Sequence, residues 1–176
     1  EKAPPLATGL AEVDRVSPAL NEASASLHEQ NRRLDQLNRT GRLLAAELDP
    51  GRLVQAAIES GTALTAAAYG AFFERHPARP DGDGGDHWRL GALTGAPREA
   101  FERFGMPRPT RLFGPTFAAE GPVRADDVLA DPRYGSHGGL PPGHLPVRSY
   151  LAVPVISREG GTLGALLFGH PEPGRF

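Results

Sequence analysis

The chain has 176 residues, a formal net charge of -2 and no cysteine, with 39% hydrophobic and 23% charged residues. These proportions fit one globular domain with an appendage, and the charge balance argues against a nucleic-acid partner. Without cysteine, disulfides, thiolate metal sites, thiol nucleophiles and thioether-linked cofactors are excluded. No apolar run approaches the roughly 18–20 residues that cross a bilayer, and no secretory pattern opens the chain, so no membrane contact and a cytoplasmic location are expected. The lone methionine is Met106 and the chain closes on Gly174-Arg175-Phe176, so it is expected to be a segment of a longer polypeptide.

Residues 1–17 carry prolines and no sustained period, and read as a flexible tether. From Pro18 the texture changes. Leu20, Leu27, Leu34 and Leu48 share one heptad position, broken only at Gly41, and Ala23, Gln30, Leu37 and Leu44 share its partner position. This narrow seam predicts a helix over residues 18–48 that pairs with a second copy of itself, since a helix sunk in its own domain needs a wider apolar face. The alternative is a surface helix packed intramolecularly over its C-terminal half.

Asp49-Pro50 predicts a helix start, with Asp49 as N-cap and Pro50 at the first helical position. Leu53, Val54, Ala57, Ile58, Gly61 and Leu64 then give a broad core-packing face on a helix running to about Ala68. Strands are predicted at Ala71–Arg75 and His87–Leu93, with a solvated loop between them. A short helix is predicted at Pro97–Phe104, and Met106–Leu145 forms a long segment rich in proline and glycine, a candidate binding lid. Two apolar runs, Tyr150–Ile156 and Thr162–Phe168, flank Ser157-Arg158-Glu159-Gly160-Gly161 and predict a hairpin. The first run is apolar at every position and should be covered on both sides, with Pro154 marking an edge or a bulge. The fold class is therefore α+β, a central antiparallel sheet with helices on one face and an irregular lid on the other, with residues 49–176 as the domain.

Residues able to carry chemistry fall in four constellations. The acidic loop Asp81–Asp86 has the composition of a calcium loop but the wrong order of Asp and Gly, and no closing glutamate. Asp126 and Asp127 read as a helix start and Asp131-Pro132 as a turn. His137 and His144 match no metal spacing, so no metal site and no cofactor are expected. A metal-dependent hydrolase built on Asp126, Asp127, His137 and His144 is the least favoured reading. Arg124, Arg133 and Arg148 lie where guanidinium groups clamp a carboxylate or phosphate. For Arg148 the competing reading is an ion pair with Asp126 or Asp127 that pins the lid. No nucleophile elbow, Walker loop, dinucleotide fingerprint or paired-carboxylate arrangement occurs, so the chain is not expected to be an enzyme.

The stretch GPVRADDVLADPRYG, followed by LPPGHLPVRSYLAVPVISREGGTLGALLFGHPEPGRF, closely resembles the second half of GAF domains of bacterial sensor histidine kinases and related signalling proteins. The DPRYG turn, the PPGHLPVRSYLAVPV entry strand and the LGALLFGH strand carry the resemblance. It implies a six-stranded antiparallel sheet, a ligand pocket under the lid, and an N-terminal helix that pairs in a dimer and relays pocket state to an output domain in the same polypeptide. On that basis the candidate pocket residues are Phe73, Trp88, Phe113, Phe117, Arg124, Tyr134, His144, Arg148 and Tyr150, around an unidentified small molecule. The candidate dimer helix residues are Leu20, Leu27, Leu34, Leu37, Leu44 and Leu48. The chain departs from its relatives in ways that matter. Lacking cysteine, it cannot attach a bilin or act as a free methionine sulfoxide reductase of this family, and without the NKFDE pattern a cyclic nucleotide is not implied. A ligand-free domain that only dimerises and spaces its neighbours is the alternative.

Overall fold

The computed structural model describes residues 10–47, 49–77, 86–103, 110–134 and 143–176, with side chains of the first helix from residue 22. The chain divides into two units, Glu1–Ala46 and Glu47–Phe176. The first is helix α1, Leu10–Ala46. It starts ahead of Pro18, so residues 10–17 of the expected tether are helical. Glu29 pairs along its surface with Arg32 at 3.1 Å and Arg33 at 3.2 Å. Leu27, Leu34 and Leu37 remain 60%, 56% and 52% exposed, while Leu44 is half-buried. The Leu20 side chain and Leu48 lie outside the described residues.

The second unit opens with α2, Pro50–Thr65. The Asp49 side chain accepts from the Arg52 amide at 2.8 Å, and Pro50 fills the first turn where a missing N–H costs nothing. The helix ends at Thr65, short of Ala68, because Ala66 turns left-handed at φ 52° and its own and the next amide bond back to Ala63 and Thr62.

Strands β1 (Tyr69–His76), β2 (His87–Thr94), β3 (Val123–Ala125), β4 (Ser149–Ile156) and β5 (Thr162–His170) form one sheet in the order β2-β1-β5-β4-β3. All neighbours are antiparallel. The described residues thus supply five strands where the resemblance implies six. Strand β3 lies inside the segment read as an irregular lid, because three residues are too few to show alternation. It pairs with Tyr150–Ala152, so among the described residues β4 is an edge beyond that point, and Pro154 costs no ladder bond to them on that side. A register shift between Val155 and Ile156 follows.

Helix α2 covers one face of the sheet: Ile58 and Val54 pack on Phe72, Ala92 and Phe168. The approach is close because a glycine stands on each side of the contact, Gly61 on the helix and Gly70 on the sheet. A β-carbon at Gly61 would come within 2.5 Å of the Phe168 ring, and one at Gly70 within 2.1 Å of the Thr62 hydroxyl. The opposite face carries α3 (Arg98–Glu102) and α4 (Gly114–Phe117), so helices are not confined to one side as expected. Phe101 and Phe117 from these turns pack on Phe73, Leu90 and Ala165.

The C-terminal segment is tied to the start of β4. Ser149, with no exposed surface, places its hydroxyl 2.7 Å from the Glu172 carbonyl and accepts from the Arg175 amide at 3.0 Å. Gly174 donates to the Asp126 carbonyl at 2.8 Å. The glycine contacts predict that Gly70→Ala destabilises the domain by about 1–3 kcal/mol, since neither strand nor helix can yield without losing packing. An unchanged urea midpoint would remove close helix–sheet approach from the account.

Candidate functional site

Side-chain alternation sorts the sheet into two faces. Ala71 and Phe73 of β1 pair with Leu167 and Ala165 of β5, and Leu167 pairs in turn with Ala152 of β4. Ala152 and Tyr150 pair with Val123 and Ala125 of β3. All of these point away from α2, toward the segment carrying α4. There Leu112, Val128 and Tyr134 close over Val123, Ala125, Tyr150 and Ala152. Trp88 stacks at 4.2 Å on Phe117, and Phe113 meets Tyr150 edge-on at 5.0 Å.

Six of the nine candidate pocket residues therefore share this side of the sheet: Phe73, Trp88, Phe113, Phe117, Tyr134 and Tyr150. His144 lies at its margin, its ring 6.4 Å from that of Phe101 and its Nδ1 2.9 Å from the Leu145 carbonyl. Arg124 stands on the other face, exposed between buried Val123 and Ala125, and holds Asp126 at 2.7 Å.

Arg148 is committed to Asp127. Its Nε donates to one carboxylate oxygen at 2.7 Å and its Nη2 to the other, while Leu129 donates its amide to the same carboxylate at 3.1 Å. This two-pronged geometry, matched to the guanidinium fork, pins the segment after β3 to the mouth of β4. Arg133 repeats the arrangement with Asp131 at 2.9 and 2.6 Å and also donates to the Arg124 carbonyl at 3.0 Å. The hydrogen bond from Arg148 holds the Asp127 carboxyl below its usual range, and Arg133 does the same to Asp131.

Two buried hydroxyls on this side have no protein partner. Thr116 on α4 has no exposed surface and Tyr150 is 4% exposed, yet neither oxygen makes a hydrogen bond. A buried hydroxyl left unmade costs roughly 1–3 kcal/mol, so both are places where a polar atom is called for. Burial pushes the Tyr150 phenol well above its ordinary range, against a smaller opposing influence of Arg133. Thr116 was not among the expected pocket residues. The run Phe113-Gly114-Pro115-Thr116-Phe117 has neither a period nor a motif to mark it.

Among the described residues no group of three or more His, Asp or Glu side chains is placed to hold a metal ion. Asp126 and Asp127, two members of the hydrolase constellation, are each taken by an arginine; His137 lies outside the described residues. Asp81–Gly85 of the acidic loop do too, and Asp86 pairs with Arg75 at 2.7 Å. No described helix is long and apolar enough to cross a membrane.

Comparison with known proteins supplies the family. A family model described as GAF domain matches residues 47–176. Among solved structures, the GAF domain of an Acinetobacter phosphoenolpyruvate-protein phosphotransferase is similar at 16% identity and a TM-score of 0.61, covering 83% of this chain and 81% of that one. The free methionine-R-sulfoxide reductase of Neisseria meningitidis, solved with its substrate, follows the same fold at 19% identity and a TM-score of 0.54, with 82% and 76% covered. A GAF domain assigned to a sensor histidine kinase of Pseudomonas syringae pv. tomato is similar at 18% identity and a TM-score of 0.50, with 85% and 76% covered.

The lowered Asp127 and Asp131 pKa values carry a signed prediction. A carboxylate whose folded pKa is depressed contributes stability above its unfolded pKa, about 3.9, and loses that contribution as pH falls through the folded value. The urea midpoint of the native chain should fall more steeply below about pH 4 than that of Asp127→Asn. Parallel pH profiles would show that the pair contributes nothing to folding.

Proposed function

The chain belongs to the GAF domain family, and we propose that it is a non-catalytic sensory module of a bacterial signal-transduction protein. It binds a small molecule between the sheet and the segment carrying α4. A paired N-terminal helix then relays the bound state to an output domain of the same polypeptide, a histidine kinase, in the cytoplasm. The observation that carries the binding step is the pair of buried hydroxyls, Thr116 and Tyr150, left without partners beside an aromatic cluster. The relay rests on Leu27, Leu34 and Leu37, which α1 leaves exposed along the heptad seam. Two copies that bury this seam recover the free energy of apolar surface now in water. A ligand shifts the output only by as much as it prefers one arrangement of the helix pair over the other.

The dense packing of Leu112 and Ala152, neither with any exposed surface, favours a second reading. In it, side chains fill the space under the lid and the domain only dimerises and spaces its neighbours.

Unfolding in the presence of a broad panel of metabolites separates the two, because a ligand selective for the native state raises apparent stability. A midpoint rise with at least one metabolite is expected, and none across the panel would leave the second reading. The helix pair has its own check. The double variant Leu27→Lys, Leu34→Lys should give a folded monomer by light scattering where the native chain is a dimer, and an unaltered mass would sink the pairing.

A further inference from the structure

Independently of any ligand or helix pairing, we propose that Pro171–Phe176 is a releasable strap, held docked by the Ser149 hydroxyl and released by a change of that hydroxyl's acceptor. Pro171–Arg175 are exposed, and Phe176 packs against the cluster of Ile58, Phe72, Ala92 and Phe168. The polar ties converge on two groups. The Ser149 hydroxyl lies 2.7 Å from the Glu172 carbonyl and accepts from the Arg175 amide at 3.0 Å, and the Asp126 carbonyl accepts from the Gly174 amide at 2.8 Å. An exposed segment held by a few hydrogen bonds and one half-buried ring belongs to the least stable part of a fold.

What permits release is a second acceptor. The Asp126 carbonyl lies 3.1 Å from the same Ser149 oxygen. A hydroxyl has a single proton, so it serves Glu172 or Asp126 and not both. Docked, the proton goes to Glu172, the nearer acceptor, and Asp126 is satisfied by Gly174. Released, Glu172 and Gly174 leave together and the proton turns to Asp126, so the fully buried hydroxyl is not stranded. The acceptor waits in place because contacts outside the strap fix it. Consecutive residues of β4 meet consecutive residues after β3: Arg148 grips the Asp127 carboxylate while Ser149 faces the Asp126 carbonyl. The Val128 amide adds a bond to the Arg148 carbonyl at 2.6 Å. Release uncovers the apolar surface under Phe176, on the α2 side of the sheet.

Amide hydrogen exchange of the full chain, followed by NMR in rising sub-denaturing urea, tests the strap. Gly174 and Arg175 should be protected and open together, at least about tenfold more often than the amides of β5. Their exchange should rise little with urea, since a local opening exposes little surface, while that of β5 rises steeply. No protection at Gly174 and Arg175, unequal opening of the two, or one urea slope shared with β5 overturns the strap. The change of acceptor is read at Gly174 in Ser149→Ala, which leaves the Gly174 bond to Asp126 intact. This substitution takes two hydrogen bonds from the docked state and one from the released state, so Gly174 should accelerate about tenfold less than the β5 amides. Equal or greater acceleration at Gly174 overturns the change of acceptor and leaves the strap standing. Ser149→Cys, a weak donor and acceptor of similar size, gives the same comparison if the alanine variant fails to fold.

Discussion

Strand β5 lies between β1 and β4, and everything on the lid side depends on the register in which it pairs with both. Ala71 opposite Leu167, and Leu167 opposite Ala152, bring the N-terminal strands and the C-terminal hairpin onto one continuous surface. A slip of β5 by one residue would turn Ala165 and Leu167 toward α2 and Phe168 away from it, and dismantle both cores at once. The register is held by unlike surroundings on the two faces. On one, Gly61 and Gly70 admit α2 closely, over a cluster that includes Ile58, Phe72, Ala92 and Phe168. On the other, aromatic rings gather under short helical turns.

On that second face the charges and the polar groups are treated differently. Arg148 pairs with Asp127 and Arg133 with Asp131; the first pair fixes the segment after β3 against the mouth of β4, and in both the charges offset each other. The hydroxyls of Thr116 and Tyr150 are buried with no such provision. A domain shaped by packing alone would gain from replacing them by apolar groups of the same shape. Their burial beside an aromatic cluster is therefore not explained by packing.

Helix α1 obeys another economy. Glu29 pairs with Arg32 and Arg33 along its own surface, while Leu27, Leu34, Leu37 and Leu43 are left in water, so part of its apolar surface is without cover. Its heptad seam is broken at Gly41 and Gln30, and a broken seam supports weaker helix pairing than an unbroken one.

Much of this was legible in the chain itself, for physical reasons that can be named. Asp49-Pro50 announces α2 because capping is local chemistry. The β4–β5 hairpin shows because strand propensity and a glycine turn act over a few residues. The run LGALLFGH and its neighbours carry a family likeness that composition does not. Strand β3 and α4 were invisible, since three or four residues cannot display a period and form only against β4 and the sheet already built. The partners of the arginines were equally hidden. Arg148 had two aspartates within reach in sequence, and the choice of Asp127, like the turning of Arg124 to the opposite face, follows from how β3 lies on β4. Thr116 is the extreme case: as a residue it is ordinary, and only burial without a partner, a property of the tertiary environment, makes it a candidate for binding.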